Sequence, residues 1–116
     1  MNLNWGTCGN NGTWCGFLTV NLDDQYFYGK VGIYIIWQAN GPIIRVGQGV
    51  IKERLQAHRR DTHITIYKNL LVTWAVVSSQ QLDSVERYLG DRLKPLVGEH
   101  FPNALPVPVN LPWKDF

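Results

Sequence analysis

Residues 31–37, Val-Gly-Ile-Tyr-Ile-Ile-Trp, form the most informative stretch of this sequence. A run of β-branched and aromatic residues predicts a buried strand. Asn40-Gly41 follows, and this dipeptide best tolerates the positive φ values of tight hairpin turns. Residues 43–46 are the expected returning strand. The stretch therefore predicts an antiparallel hairpin.

The segments after the hairpin alternate between helix and strand patterns. Gly47-Gln-Gly49 predicts a flexible turn into a helix over residues 50–60, and residues 70–77 predict a third strand. Ser78 and Ser79 offer N-cap oxygens to a helix over residues 80–93, which stops before Pro95. This order predicts an α/β (α+β) domain over residues 31–116, with a three-stranded antiparallel sheet flanked by helices.

The remaining segments are a leader and a tail. Residues 1–30 are rich in Gly and Asn, which favours turns, and residues 14–22 are a candidate for one added strand. The tail from residue 101 onward contains four prolines, so we expect it to be an ordered, extended wrap.

Composition limits the class of protein. The 116 residues suit one domain, and 45% hydrophobic with 17% charged residues is ordinary globular composition. The net charge of +2 is too small to indicate nucleic acid, although the segment from Arg45 to Lys68 is locally basic. We expect no membrane partner, no signal peptide and therefore a cytoplasmic location. In that compartment Cys8 and Cys15 are expected to be reduced thiols, and their spacing does not suit zinc.

The first predicted helix carries polar residues at the margin of its apolar face. Ile51 and Leu55 define that face, and Arg54 and His58 sit beside it at helical spacing. Arg54 either packs its stem while its head reaches water, or supplies a fixed cation to a site. His58 is either a structural histidine or a site residue.

The second predicted helix repeats the pattern with the opposite charge. Glu86 lies about 60° from the centre of the apolar face at about 100° per residue. A half-buried carboxylate costs free energy unless it is paired or bound to a metal. A salt bridge to Arg54 or Arg92 is one explanation. A guanidinium and a carboxylate across one sheet face would also suit phosphodiester hydrolysis.

Five elements occur in order along the predicted secondary structure: Gly32-Ile33-Tyr34, Arg45-Val46-Gly47, Arg54, Glu86 and Asn110. This order resembles that of the GIY-YIG nuclease family over about residues 31–113. The first motif is present letter for letter. The second motif normally opens with tyrosine, and Arg45 stands in its place.

The resemblance implies a small stand-alone GIY-YIG-like endonuclease. It implies that Tyr34 lines the site, where in some members this tyrosine is the proposed general base, and that Arg54 contacts the scissile phosphate. With Arg45 in place of the second tyrosine, the general base is left open among Tyr34, Tyr67 and His58. It implies that Glu86 binds one Mg²⁺ or Mn²⁺ ion and that Asn110 supports the site. His58 falls near a position where some members carry histidine, and His63 is its rival.

The expected partner is DNA, contacted at phosphate by Arg45, Gln48, Arg59 and Arg60. A homodimer or a separate specificity partner is a further expectation. Two alternatives to the metal-dependent DNA endonuclease stay open. The domain is otherwise a catalytically inactive nucleic-acid-binding module, or a protein-interaction module of the same fold.

Overall fold

The strand predicted at residues 31–37 lies at the centre of an antiparallel sheet. The computed structural model describes residues 1–9, 11–98 and 101–113. Within these residues the sheet has the order β1-β4-β2-β3, and the strands are β1 Cys15–Gly16, β2 Val31–Gln38, β3 Ile43–Val50 and β4 Leu70–Val76. The helices are α1 Ile51–Arg59, α2 Thr62–Thr65 and α3 Leu82–Leu93. The α+β class is confirmed.

The sheet has four strands among the described residues, so the prediction of three strands is wrong. The leader supplies β1, which pairs antiparallel with β4 through Cys15 and Gly16. A segment rich in Gly and Asn gives little periodicity, so a strand of two residues leaves no clear signal. A 3-10 turn at Gln25–Phe27 and the short α2 were also not predicted.

The hairpin forms at the predicted dipeptide. Asn40 has φ of 57°, and the amide of Gly41 donates to the carbonyl of Gln38 at 2.8 Å. The predicted flexible turn at Gly47-Gln-Gly49 is wrong, because β3 continues through it to Val50. Gly47 pairs with Tyr34, and a Cβ there would collide with the Tyr34 hydroxyl. The glycine is needed for this close approach and not for a bend.

Each sheet face packs a core of its own. One face carries Ile33, Ile35 and Trp37 against α3. The opposite face carries Tyr34 and Ile36 against α1 and α2. The alternation along β2 follows from the period of two residues in a strand. Since both faces are covered, β2 is apolar along most of its length, which explains why it was the clearest strand in the sequence.

The leader is fastened to the sheet by a disulfide. Cys8 and Cys15 are bonded to each other, so the expectation of reduced thiols is wrong. Sequence spacing did not indicate this pair, because the chain reverses direction between the two residues, where Cys8 bridges to Thr13. The guanidinium of Arg59 then donates to the carbonyls of Phe17 and Val20.

The ends of α3 differ from expectation. Gln81 precedes the helix without a side-chain cap, so the expected serine cap is wrong. Lys94 follows it with φ of 50°, which ends the helix before Pro95 as predicted. In the tail, Val109 reaches the core on the α3 face. No helix among the described residues has the length and apolar character to cross a membrane.

Candidate active site

Tyr34 lies at the centre of the candidate site. Its position in β2 directs it to the α1 face, where the side chain is fully buried. Its hydroxyl oxygen lies 2.5 Å from Nε2 of His58. Burial raises the pKa of Tyr34 above its usual value, while hydrogen bonding and positive charge from Arg54, and then from Arg45, oppose this rise. Tyr34 is therefore protonated at neutral pH.

His58 is buried one helical turn after Arg54 on α1. Burial lowers the pKa of His58 to about 4, and the positive charges of Arg45 and Arg54 add to that effect. The imidazole is therefore neutral at pH 7, and its Nε2 accepts the hydrogen bond from the Tyr34 hydroxyl. His63, the rival candidate, is exposed and contacts Asp61 instead.

Arg45 from β3 and Arg54 from α1 bring two guanidinium groups to Tyr34. The Nε atom of each is buried and has no hydrogen-bond partner within residues 1–9, 11–98 and 101–113. Among the described residues, no carboxylate oxygen lies within 4.0 Å of either group. Two adjacent cations with unused donors form a site for an anion with several oxygens, such as phosphate.

Glu86 is buried on α3, with 8% of its surface exposed. Burial raises the pKa of Glu86, a hydrogen bond from Gln48 and the charge of Arg45 oppose this, and the charge of Asp83 adds to it. The predicted alternative, a salt bridge to Arg54 or Arg92, is not present within 4.0 Å in the described part of the chain. Arg45 and Arg54 act on both Glu86 and Tyr34, so the guanidinium groups are within electrostatic reach of both.

The donors around Glu86 suit one hard cation that keeps most of its water. No group of three or more His, Cys, Asp or Glu side chains is assembled for a metal within the described residues. Mg²⁺ is commonly held by one or two carboxylates, with water and substrate phosphate completing its shell. Glu86 and Asp83 supply two such carboxylates one turn apart on α3. The residues present therefore fit Mg²⁺ and do not form a closed metal cage.

The other predicted site residues have different surroundings. Gln48 donates to Asp83 Oδ1 at 2.8 Å and so joins the Glu86 cluster. Asn110 bonds both the amide and the carbonyl of Leu3, which fastens the N-terminal segment. Arg59 donates hydrogen bonds to two backbone carbonyls of the leader, and Arg60 is exposed on the surface. The structure thus joins Tyr34 to His58 by a hydrogen bond and Gln48 to Asp83 next to Glu86, with Arg45 and Arg54 within electrostatic reach of both Tyr34 and Glu86. Asn110, Arg59 and Arg60 make their contacts elsewhere.

Sequence analysis missed two residues of this cluster. Asp83 is one of them, and its spacing of three residues from Glu86 puts both on neighbouring positions of α3. Gly98 packs directly against the Arg45 guanidinium, and its φ of 102° favours glycine. The amides of Leu96 and Val97 bond the carbonyls of Ile43 and Ile44, which places Gly98 beside β3. No pattern in the sequence indicated this contact.

Two cavities of the molecule lie away from this cluster. One, of about 450 Å³, is lined by Trp14, Trp37 and Trp113 among others. The second, of about 290 Å³, is bounded by Tyr26, Phe27 and Trp74 with several polar neighbours. Neither is lined by Tyr34, Arg54 or Glu86. The candidate site is therefore assigned on its chemistry and not on concavity.

Comparison with protein-family models, with curated proteins and with solved structures found no match to this chain.

Proposed function

We propose that this protein is a metal-dependent endonuclease that hydrolyses phosphodiester bonds in DNA. The observation that carries the proposal is the pair of guanidinium groups of Arg45 and Arg54, whose Nε atoms have no hydrogen-bond partner among the described residues, beside the hydrogen-bonded Tyr34 and His58. A buried carboxylate with no cationic partner within 4.0 Å, Glu86, completes the set among the described residues. Each group supplies something that phosphoryl transfer requires.

Substrate binding is assigned to the two arginines. A phosphodiester carries one negative charge, and charge builds up on its oxygens as a nucleophile attacks. The Nε donors of Arg45 and Arg54 are used by no acceptor in the described part of the chain, so a phosphate can gain hydrogen bonds there without displacing a salt bridge of these residues. The fixed cations are thus arranged before the substrate arrives, which lowers the cost of stabilising the transition state.

Proton removal is assigned to Tyr34 and His58 together. Tyr34 holds its proton too tightly to act alone at neutral pH, but its hydroxyl already donates to the neutral His58. The proposed relay requires a water to reach the phenol oxygen, which takes the water's proton as the phenol passes its own to Nε2 of His58. A phosphate bound at Arg45 and Arg54 offsets the positive charges that lower the pKa of His58. The hydroxide attacks phosphorus, and the sugar oxygen of the broken ester leaves with a proton from water.

The metal ion is assigned to Glu86, with Asp83 as a second carboxylate. When bound, Mg²⁺ neutralises charge on the phosphate and the leaving oxygen. Gln48 orients the pair by donating to Asp83 and by hydrogen bonding to Glu86. Burial of Glu86 raises the free energy of its ionised form, so a cation at this carboxylate is favoured.

The GIY-YIG resemblance supports the same assignment. The sheet of β2, β3 and β4 with α1 and α3 provides the elements that the resemblance implies, and β1 is an addition from the leader. The motif residues Tyr34, Arg54 and Glu86 belong to the candidate site, while Asn110 fastens Leu3.

A second candidate function is DNA binding without cleavage. Complete burial of Tyr34 favours it, because water must reach the hydroxyl for catalysis. The position of Arg45, where the second motif normally has tyrosine, favours it as well. This alternative predicts salt-sensitive DNA affinity that survives the loss of Glu86.

A nicking assay distinguishes the two functions. Supercoiled, branched and single-stranded DNA are incubated with the protein and Mg²⁺ or Mn²⁺, with EDTA as the metal-free arm. Arg54→Ala should lower the rate by about 100-fold to 1,000-fold. Arg92→Ala, which removes an exposed arginine of α3, should leave the rate unchanged. DNA binding without nicking on every substrate would reject the endonuclease and retain the binding function.

A further inference from the structure

The cavity of about 290 Å³ contains an aromatic wall and several polar groups. Its lining residues are Thr7, Cys8, Val20, Asn21, Asp24, Tyr26, Phe27 and Trp74. Phe27 and Trp74 are buried and form the base, whereas Tyr26 is 51% exposed at the rim. Ligand pockets in proteins combine such apolar surfaces with a few polar groups that fix orientation.

The polar groups of this cavity leave hydrogen-bonding capacity for a ligand. Asp24 uses Oδ1 to accept from the amide of Tyr26, and its Oδ2 makes no hydrogen bond within the described residues. The Tyr26 hydroxyl accepts from Nε1 of Trp74, so its own proton is available. Asn21 uses Oδ1 on the amide of Asp23, which leaves its NH₂ group. A ligand in this cavity would therefore have both hydrogen-bond donors and hydrogen-bond acceptors available next to the aromatic rings.

The cavity lies on the same sheet face as Tyr34, although Tyr34 itself does not line it. Trp74 of β4 is the direct cross-strand partner of Tyr34 in β2. Lys30 contacts both the cavity rim and the start of α1. Its ammonium lies 4.4 Å from the Tyr26 ring centre, and its backbone carbonyl accepts a hydrogen bond from the amide of Ile51. Ile51 begins α1, the helix that carries Arg54. Lys30 and the cavity thus neighbour the elements that carry Tyr34 and Arg54.

We infer that this cavity binds one unpaired nucleobase of the substrate, stacked on Tyr26 and hydrogen-bonded to Asp24. A nucleobase is planar, which suits the aromatic wall, and it carries N–H groups that a carboxylate accepts. Guanine suits the carboxylate best, because its Watson–Crick edge presents two adjacent donors. A base stacked within a duplex cannot enter such a cavity without leaving the helix. The inference rests on the proposed function and narrows its substrate to single-stranded or locally unpaired DNA.

The other cations and carboxylates near the cavity fit this assignment. Lys52 pairs with Asp23 at 3.1 Å, which removes the repulsion that Asp23 would otherwise exert on phosphate. Asp24 makes no ion pair within the described residues. Its negative charge discourages a phosphate group in the cavity itself, so the base occupies it and the phosphate stays near Lys30.

Binding experiments in EDTA test the inference without cleavage. A fluorescent single-stranded oligonucleotide containing guanine is titrated by anisotropy, beside a duplex of the same sequence. Tyr26→Ala should weaken single-strand affinity by on the order of 10-fold and leave duplex affinity unchanged. Tyr26→Phe keeps the ring and should retain most of the affinity. Tyr28→Ala is the matched control, because Tyr28 is 88% exposed and does not line the cavity.

The outcomes separate this inference from the proposed function. An unchanged single-strand affinity in a folded Tyr26→Ala protein overturns the base cavity, whatever the nicking assay shows. An equal loss of affinity for single strand and duplex also overturns it. A selective loss on single strands together with no nicking supports the cavity and rejects only the endonuclease. Asp24→Asn should reduce the preference for guanine over thymine, and an unchanged preference contradicts the role of the carboxylate.

Discussion

The Tyr34 hydroxyl and the His58 imidazole share a hydrogen bond of 2.5 Å between a central strand and the helix that covers it. Both groups are uncharged at neutral pH, because burial raises the pKa of the phenol and lowers that of the imidazole. Two guanidinium groups close to this pair keep His58 from gaining a proton. The pair therefore holds no charge of its own at neutral pH.

Stability should fall in acid because of His58. The folded protein holds His58 with a pKa of about 4, while an unfolded chain has the ordinary value of 6.5, so the unfolded state binds more protons between them. The stabilisation is complete above pH 6.5 and is lost as the pH falls toward 4. We expect a loss of about 2 kcal/mol after allowing for solvent screening. Urea unfolding at pH 7 and pH 4.5 measures it.

The matching variant isolates the histidine from the carboxylates that titrate in the same range. His58→Gln should show a smaller loss of unfolding free energy between pH 7 and pH 4.5 than the wild type. Equal losses in the two proteins would contradict a neutral buried His58.

Glu86→Gln should make the protein more stable at pH 7. A carboxyl whose pKa is raised by folding contributes its stabilisation at low pH, and that contribution is lost as the pH rises through the folded pKa. An amide of the same shape removes the buried charge and still accepts from Gln48. We expect an increase of about 0.5 to 1 kcal/mol in the free energy of unfolding, measured by urea denaturation. A marked decrease would mean that Glu86 is a structural ion-pair partner.

Arg45 and Arg54 should each contribute one phosphate contact to DNA binding. Removing either by alanine should reduce the slope of log affinity against log salt by about 0.9 for duplex DNA. Anisotropy titrations at several NaCl concentrations give this slope. Arg92→Ala should leave the slope as in the wild type. An unchanged slope in both the Arg45→Ala and the Arg54→Ala variant would contradict the assignment of these arginines to a phosphate-binding site.

Reduction of the Cys8–Cys15 disulfide should destabilise the fold. The bond closes a loop with a sequence separation of 7 residues. Loss of a cross-link of this size costs about 2 kcal/mol through the entropy of the unfolded chain. Thermal unfolding of a Cys8→Ser, Cys15→Ser double variant should show a lower Tm. An unchanged Tm would show that the strand pairing of β1 alone fastens the leader.

The sequence predicted the elements whose signal is local. β2, the hairpin at Asn40-Gly41, α1, β4 and α3 follow from periodicity and turn chemistry, and each was found within about two residues of its expected bounds. β1 lies within residues 14–22, the candidate for one added strand, but its two residues carry no periodicity that could fix its bounds. The strand at Gly47-Gln-Gly49 was missed because Gly47 is needed for its close contact with the Tyr34 ring, which lies on a different strand.

The candidate site was predicted in part for the same reason. Glu86 and Arg54 were visible as polar residues at the margin of apolar helix faces. The hydrogen bond from Tyr34 to His58 joins residues that are 24 positions apart, so only the fold could select His58 over His63. Arg59 was assigned to DNA, and its bonds to Phe17 and Val20 depend on a leader that gave no signal.

The disulfide also bears on where the protein works. Disulfides persist in oxidising compartments and are rare in the reducing cytoplasm. The expectation of a cytoplasmic location depended on a default assignment, and the bond between Cys8 and Cys15 argues against that default.

The central claim is that DNA cleavage by this protein requires a metal ion held at Glu86. A nicking assay of the Glu86→Gln variant tests this claim most directly. The rate of conversion of supercoiled DNA to open circles is measured with Mg²⁺ for the wild type, for Glu86→Gln and for Glu53→Gln, which changes an exposed carboxylate of α1. The account predicts that Glu86→Gln is folded, binds DNA and does not nick, while Glu53→Gln nicks at the wild-type rate. Nicking by Glu86→Gln at the wild-type rate would contradict it.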